Sequence, residues 1–234
     1  MESHERAVMP GWHRFWSESR NSKHLAVEAK HFVINMVAAL SVDGNEHVLD
    51  FGSGFGYVAE ALAEHVGEVR MWDSAPAVLE AASSRVSADN VTTIDLSDPY
   101  SVDLRFDLVV ANSVIQYMVT DELLRWLQIW RRLLKPDGTV VISDVPSVDS
   151  SLSRETLAWL VFSARNRVLF PSFRFALANW WRYRAAHSAS PLLSVDDARM
   201  KQLASEAGLR ARRLPVNLAY QTSRSSFLLD RQEA

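Results

Sequence analysis

The chain has 234 residues, of which 48% are hydrophobic and 23% charged, as is usual for a globular protein with a sizeable core. Its 25 Lys and Arg residues against 28 Asp and Glu residues leave a net charge of -3, so it has no overall basic surface of the kind that nucleic-acid-binding proteins present. It has no cysteine, which excludes thiol nucleophiles, disulfides and cysteine-bound metals and favours a cytoplasmic location. No stretch approaches the roughly 18 apolar residues of a membrane span, and the polar N-terminal residues do not match a signal peptide.

Short apolar runs alternate with helical patterns from residue 46 to residue 146, which predicts a parallel sheet with crossover helices. The predicted strands are 48–51, 70–72, 91–94, 106–111 and 139–143. The predicted helices between them are 57–66, 75–86 and 121–134. Near the C-terminus, Ser194 and Asp197 form a predicted capping pair for a helix that ends at Gly208, and strands are predicted at 211–218 and 226–230.

Glycines cluster in the segment Asp50-Phe51-Gly52-Ser53-Gly54-Phe55-Gly56, between the first predicted strand and helix. Small residues let the backbone approach a ligand, and the following helix presents unpaired N–H groups. The alternative is a turn that needs glycine only for packing. The dinucleotide fingerprint requires a third glycine where Tyr57 stands, so the spacing argues against an NAD-dependent oxidoreductase.

An acidic residue ahead of Gly-x-Gly-x-Gly resembles the class I S-adenosylmethionine-dependent methyltransferases, and the chain is similar to their small-molecule, type 11-like branch. The resemblance covers residues 46–146 and, with less similarity, the last 40 residues. It implies an α/β, Rossmann-like fold: a seven-stranded, mostly parallel sheet with an antiparallel last strand and helices on both faces. It also implies S-adenosylmethionine as the cofactor.

Under this resemblance we expect a single domain over residues 1–234. It would consist of a helical N-terminal arm (1–42), a cofactor-binding core (43–146), a helical cap insertion (147–190) and a C-terminal helix with the last two strands (191–234). No internal repeat or flexible linker suggests a second domain.

The resemblance also implies the residues that bind the cofactor. Asp73, at the end of the second strand, would accept hydrogen bonds from both ribose hydroxyls, although it could instead cap the next helix. Asp95 and Leu96 resemble the pair that contacts adenine, and a solvated loop aspartate is the alternative there. The predicted cofactor-binding residues are Asp50, Gly52, Ser53, Gly54, Gly56, Asp73, Ser74, Asp95, Leu96, Asn112, Ser113 and Tyr117.

Methyl transfer depends mainly on positioning and desolvation, and a base helps when the acceptor is a hydroxyl. Many relatives have a histidine pair where this chain has Gln116-Tyr117, so no base is expected there. His24 and His187 are the candidate catalytic residues, with His13 and Asp144 as further candidates, and a surface or packing role is the alternative for each. The seven histidines show no metal-ligand spacing, so no metal is expected.

Residues 151–190 combine tryptophans with six arginines and a single acid, Glu155. A cationic, aromatic cap would suit a small-molecule acceptor with an apolar body and a negative group, such as a glycan, a natural-product intermediate or a lipid-linked intermediate. The alternatives are a solvated helical pair and peripheral contact with an anionic membrane. The arginines are Arg154, Arg165, Arg167, Arg174, Arg182 and Arg184.

The sequence therefore predicts an enzyme that transfers a methyl group from S-adenosylmethionine to an oxygen or nitrogen of a small molecule. Methylation of a macromolecule is one alternative. The tetrad typical of many enzymes that methylate bases or protein amides is absent after the fourth strand, which argues against nucleic acid and protein as acceptors. A non-catalytic methyltransferase-like module that binds a partner protein is the other alternative.

Overall fold

The computed structural model describes residues 23–147, 152–170, 173 and 192–232. The strands are β1 (His47–Phe51), β2 (Glu68–Trp72), β3 (Val91–Thr93), β4 (Phe106–Asn112), β5 (Leu134–Val145), β6 (Leu209–Arg213) and β7 (Ser225–Arg231). The helices are α1 (Lys23–Leu40), α2 (Tyr57–Leu62), α3 (Pro76–Arg85), α4 (Thr120–Leu133), α5 (Leu152–Arg165) and α6 (Asp197–Glu206), and a 3₁₀ turn covers Ile115–Tyr117.

The strands form one seven-stranded sheet in the order β3-β2-β1-β4-β5-β7-β6. The pairs among β1 to β5 are parallel, whereas β7 runs antiparallel to both β5 and β6. β1 lies inside the sheet, between β2 and β4, and its last four residues are all buried, as expected for a parallel strand covered on both faces. The predicted mostly parallel sheet with an antiparallel last strand is confirmed.

Two apolar cores lie on opposite faces of the sheet, because neighbouring strand residues alternate between them: Leu49 belongs to one core and Val48 to the other. The first core is covered by α4 and α6, with Trp130 and Leu203 among its members. The second is covered by α1, α2 and α3. This arrangement confirms the predicted helices on both faces.

Helix α4 shows how the sequence specifies these layers. Its buried residues Leu123, Leu127 and Trp130 recur three or four positions apart and therefore share the face that packs on the sheet. Acidic residues occupy its first turn and basic residues its last turn, which complements the helix dipole.

Several predicted boundaries were wrong. Helix α2 ends at Leu62 instead of residue 66, since the chain turns immediately afterwards. Strand β6 covers 209–213 instead of 211–218, and beyond it Leu214 N donates to Ser226 O. The cap of α6 is Asp196, whose side chain accepts from Arg199 N at 2.7 Å, in place of the predicted pair of Ser194 and Asp197.

The arm and the insertion both contain helices, α1 and α5, that meet beside the sheet. The imidazole of His24 in α1 lies 6.1 Å from the ring of Trp159 in α5. Asn35 Nδ2 donates to Leu218 O at 2.9 Å, which ties α1 to the segment before β7. Within the described ranges, no helix is both long and apolar enough to cross a bilayer.

Candidate active site

A cavity of about 650 Å³ opens at the carboxyl ends of β1, β2, β4 and β5. Ligands bind at this edge in open parallel sheets. Its lining comes from two sets of segments. The loop wall consists of lining residues within 51–58, 72–78 and 112–126, and the helix wall consists of those within 24–32, 144, 155–159, 192 and 219–224. The predicted site residues that line the cavity are Gly52, Ser53, Gly54, Asp73, Ser74, Asn112, Ser113, Tyr117, His24 and Asp144.

The glycine loop follows β1 and turns sharply over the end of β2. The amides of Gly52 and Ser53 both donate to Trp72 O, at 2.8 and 2.9 Å. A Cβ at Gly52 would lie 2.5 Å from Val114 Cγ2, whereas a Cβ at Gly54 would meet nothing within 4 Å. Gly54 has a φ of 53°, in the left-handed region that favours glycine. The backbone at Gly54 therefore borders open space in the cavity.

Gly56 has a structural position behind this loop. It is buried and does not line the cavity. A Cβ there would lie 2.9 Å from Val86 Cγ2 and 3.0 Å from Met71 Sδ. Gly56 therefore lies outside the cavity lining, and its lack of a Cβ allows the start of α2 to lie close to β2 and to the end of α3.

Asp73 holds the loop and the next helix together. Its Oδ2 accepts from Gly54 N at 2.9 Å, and its Oδ1 accepts from Ala75 N at 2.8 Å. Asp73 also lines the cavity beside Ser74. Both interpretations of this residue, helix entry and ligand-facing carboxylate, are compatible with its position.

Asp50 lies beneath the loop instead of in the cavity. It is 2% exposed, and its carboxylate accepts a hydrogen bond from the backbone of Ala59 in α2. Burial and the nearby Asp73 carboxylate raise the pKa of Asp50 to about 7. Asp50 therefore supports the loop from below and does not reach the predicted cofactor position directly.

Asp95 and Leu96 are the other predicted residues outside the cavity lining. Asp95 is exposed and folds back on Ser97, accepting from its backbone N at 2.8 Å and its Oγ at 2.9 Å. Leu96 is 1% exposed and packs in the first core. Asp95 thus forms a local turn and Leu96 belongs to the core, and their contact with adenine stays a prediction.

The ends of β4 and β5 bring Ser113 and Asp144 together. Ser113 Oγ donates to Asp144 Oδ2 at 2.7 Å. Both residues have positive φ values, 58° and 62°, which non-glycine residues adopt only at some cost. Burial raises the pKa of Asp144, and the guanidinium of Arg224 opposes that rise.

Arg224 joins the sheet to the helix wall. Its Nη1 lies 2.9 Å from Asp144 Oδ2, and its Nε lies 3.0 Å from Glu155 Oε1 in α5. The same Nη1 donates to Gln116 Oε1 at 3.0 Å. Only 11% of the Arg224 side chain is exposed, so these ion pairs are largely shielded from water.

His24 lies in an aromatic and acidic part of the helix wall. Its Nε2 is 2.7 Å from Glu28 Oε1, one turn along α1. The ring of Tyr220 lies 6.2 Å away, and burial followed by the Glu28 charge raises the pKa of the Tyr220 hydroxyl. The other two candidate histidines, His13 and His187, lie outside the described residues.

Residues 49–140 match the family model of a methyltransferase domain. The part of the chain from β1 into β5 is therefore similar to methyltransferase domains. A phosphoethanolamine N-methyltransferase from Plasmodium falciparum (isolate 3D7) is 26% identical over 116 residues, which are 47% of this chain and 42% of that protein. This relative is therefore much longer than the part that the chain matches.

Solved structures of methyltransferases share the fold of this chain. Mitomycin 7-O-methyltransferase superposes with a TM-score of 0.62 at 17% identity, over 88% of this chain and 54% of that one. Magnesium protoporphyrin IX methyltransferase from Synechocystis PCC 6803, which holds S-adenosylhomocysteine, gives 0.57 at 17%, over 94% and 91%. At these identities the likeness shows the fold.

Sequence reasoning missed most of the helix wall of this cavity. Arg224 follows the C-terminal helix by many residues, and Glu28 and Tyr220 belong to no motif of the core. One signal was available: Glu28 stands four residues after His24, a spacing that places the two side chains on the same face of a helix. The contact with Tyr220 required the tertiary structure.

Proposed function

We propose that this protein is an S-adenosylmethionine-dependent methyltransferase that methylates an oxygen or nitrogen of a small molecule. The observation that carries the proposal is the loop at Gly54, which borders an open cavity and is held by the Asp73 carboxylate. A glycine loop of this kind lets a ligand approach the backbone closely.

The polar groups of the loop wall fit the cofactor. Ser53 Oγ and Asn112 Oδ1 are buried atoms without a hydrogen-bond partner among the described residues, and both residues line the cavity. An adenosine and amino-acid ligand offers donors and acceptors that would satisfy them. We assign the ribose hydroxyls to Asp73, and the remainder of the cofactor to Gly52, Ser53, Gly54 and Asn112.

Bound S-adenosylmethionine supplies a methyl group on a positively charged sulfur. The chain's own contribution is to orient the acceptor and to exclude water, because positioning and desolvation provide much of the acceleration of such transfers. Trp159 and Tyr220 supply apolar surface on the helix wall. A proton released by the acceptor would be received by the His24–Glu28 pair or by Asp144, which also line the cavity.

Calorimetry with S-adenosylhomocysteine tests the proposal on the full chain. We expect micromolar binding, with NADH as the negative control because the glycine spacing does not match the dinucleotide fingerprint. Absence of S-adenosylhomocysteine binding would refute the proposal and favour a non-catalytic module. Transfer of a radioactive methyl group to small molecules rather than to protein or nucleic acid would then define the acceptor class.

A further inference from the structure

The helix wall contains more carboxylates than cations. Among its described residues, Glu28, Asp144 and Glu155 line the cavity, whereas Arg224 supplies the guanidinium there. Arg224 is shared between Asp144 and Glu155, at 2.9 and 3.0 Å. Glu28 contacts His24 instead. With its three carboxylates ionised, this wall therefore carries a net negative charge and repels an anionic acceptor.

Two buried oxygen atoms of the helix wall lack a hydrogen-bond partner among the described residues. They are Asp144 Oδ1 and Gln221 Oε1, in residues that are 8% and 7% exposed and that line the cavity. Buried acceptors without donors are costly, so a bound ligand that donates there gains from satisfying them. A carboxylate and an amide oxygen can only accept, and the complementary ligand group is an N–H or O–H donor.

The described arginines of residues 151–170 do not supply the expected positive cap. Arg154, Arg165 and Arg167 are exposed and lie outside the cavity lining. Glu155, in contrast, faces the cavity on the same helix as Arg154. The rotation of about 100° between neighbouring helix residues directs Glu155 to the cavity and Arg154 to another face of α5. The remaining arginines, Arg174, Arg182 and Arg184, lie outside the described residues.

Aromatic rings complete the helix wall. Trp159 and Tyr220 line the cavity, and Tyr220 stacks on Phe162 with the ring centroids 4.5 Å apart. Aromatic faces beside carboxylates bind cations well, because the ring quadrupole and the negative charges act in the same direction. They also give apolar surface to the body of a ligand.

Resting on the proposed function, we infer that the methyl acceptor is a small molecule that carries a basic amino group. Its N–H groups would donate to Asp144 and Gln221, Glu28 would add to the attraction, and its apolar or aromatic body would lie against Trp159 and Tyr220. This acceptor class is opposite in charge to the anionic one that the arginine count suggested.

The test uses three probes of nearly equal shape and different charge: 2-phenylethylamine, 2-phenylethanol and phenylacetate. Each is titrated into the full chain saturated with S-adenosylhomocysteine, and binding is followed by NMR. We expect the amine to bind at least about tenfold more tightly than the alcohol, and phenylacetate to bind most weakly, since a charged hydrogen bond adds about that factor.

Charge-removing variants provide the second arm. Glu28→Gln keeps the size of the side chain and should lower amine affinity several-fold without changing alcohol affinity. Glu64→Gln is the matched control, because Glu64 is exposed and lies outside the cavity lining, and it should leave both affinities unchanged.

Each outcome distinguishes the two proposals. Loss of S-adenosylhomocysteine binding in the parent chain would overturn the proposed function itself. Normal S-adenosylhomocysteine binding with equal affinities, with no probe bound, or with phenylacetate preferred would overturn the amine inference alone. An identical response of Glu28→Gln and Glu64→Gln would also overturn it.

Discussion

At the scale of single residues, Asp73 combines a ligand-facing position with two hydrogen bonds to the backbone. Asp73→Ala should weaken S-adenosylhomocysteine binding by about 2 to 3 kcal/mol, since a charged acceptor is lost from a partly desolvated site. It should also lower Tm, because Gly54 N and Ala75 N lose their acceptor, at about 1 kcal/mol each. Calorimetry and thermal unfolding measure the two effects.

The matched control is Asp73→Asn, whose amide oxygen can still accept one of the two backbone bonds. Its Tm should lie between those of the parent and Asp73→Ala. If Asp73→Ala binds S-adenosylhomocysteine like the parent while Tm falls, the residue only holds the loop and the ribose assignment is wrong.

Asp50 gives the chain a predicted pH dependence of stability. Its pKa is raised from 3.8 to about 7 by burial and by Asp73, so the folded state binds more protons than the unfolded state between these values. The free energy of unfolding therefore falls as pH rises from about 4 to about 7, by on the order of 4 kcal/mol from this residue, and stays level above that range.

Asp50→Asn tests this effect, because asparagine resembles the protonated acid. We expect the stability of the variant relative to the parent to increase through the same pH range in urea titrations, since it is spared the cost of ionisation. A pH-independent difference between the two proteins would show that Asp50 does not titrate there.

The residues that sequence reasoning found were local, and those that it missed were distant. The glycine loop lies within seven consecutive positions, and Asp73 was expected from its place after the second strand. In contrast, Asp144 and Arg224 are 80 positions apart and meet only through the pairing of β5 with β7. A spacing rule cannot anticipate such a contact, because the intervening chain sets its geometry.

At the scale of secondary structure elements, α5 is attached to the sheet through Arg224. Arg224→Met leaves Asp144 and Glu155 without their shared cation, and removing one partner of a buried pair costs about 3 to 5 kcal/mol. In Arg224→Met we expect amide hydrogen exchange to be faster than in the parent within residues 152–165. Exchange within α4 should be unchanged, since α4 packs in the first core independently of Arg224.

Arg165→Met is the control on the same helix, because Arg165 is exposed. It should leave the exchange of α5 unchanged, and Arg224→Lys should recover part of the protection. Equal exchange of α5 in Arg224→Met and in the parent would mean that apolar contacts alone hold this helix.

Element types were predictable because a short continuous apolar run, as in β1, differs from the spacing of three or four residues in a helix such as α4. The residues at which the elements begin and end were harder to predict. The predicted strand at 211–218 shows why: its apolar residues Leu214 and Leu218 are buried, yet they belong to an irregular segment that packs in the second core. Apolar residues at every second position have the same sequence pattern whether or not a ladder forms, and here Val216, between the two leucines, is exposed.

At the scale of the whole molecule, the expectation of a single domain has a thermodynamic consequence. The two cores share one sheet, so losing either should destabilise the same cooperative unit. Met36 in the second core and Leu203 in the first are 0% and 1% exposed. Met36→Ala and Leu203→Ala should each lower the free energy of unfolding by about 2 to 5 kcal/mol.

The double variant provides the decisive measurement. Because Met36 and Leu203 lie on opposite faces of the sheet and share no core, their costs should add to within about 0.5 kcal/mol. Urea unfolding followed by tryptophan fluorescence and by far-UV circular dichroism should give one coincident transition in both single variants. Two separate transitions, with Met36→Ala shifting one and Leu203→Ala the other, would instead show that the faces unfold independently and that the chain is not a single cooperative domain.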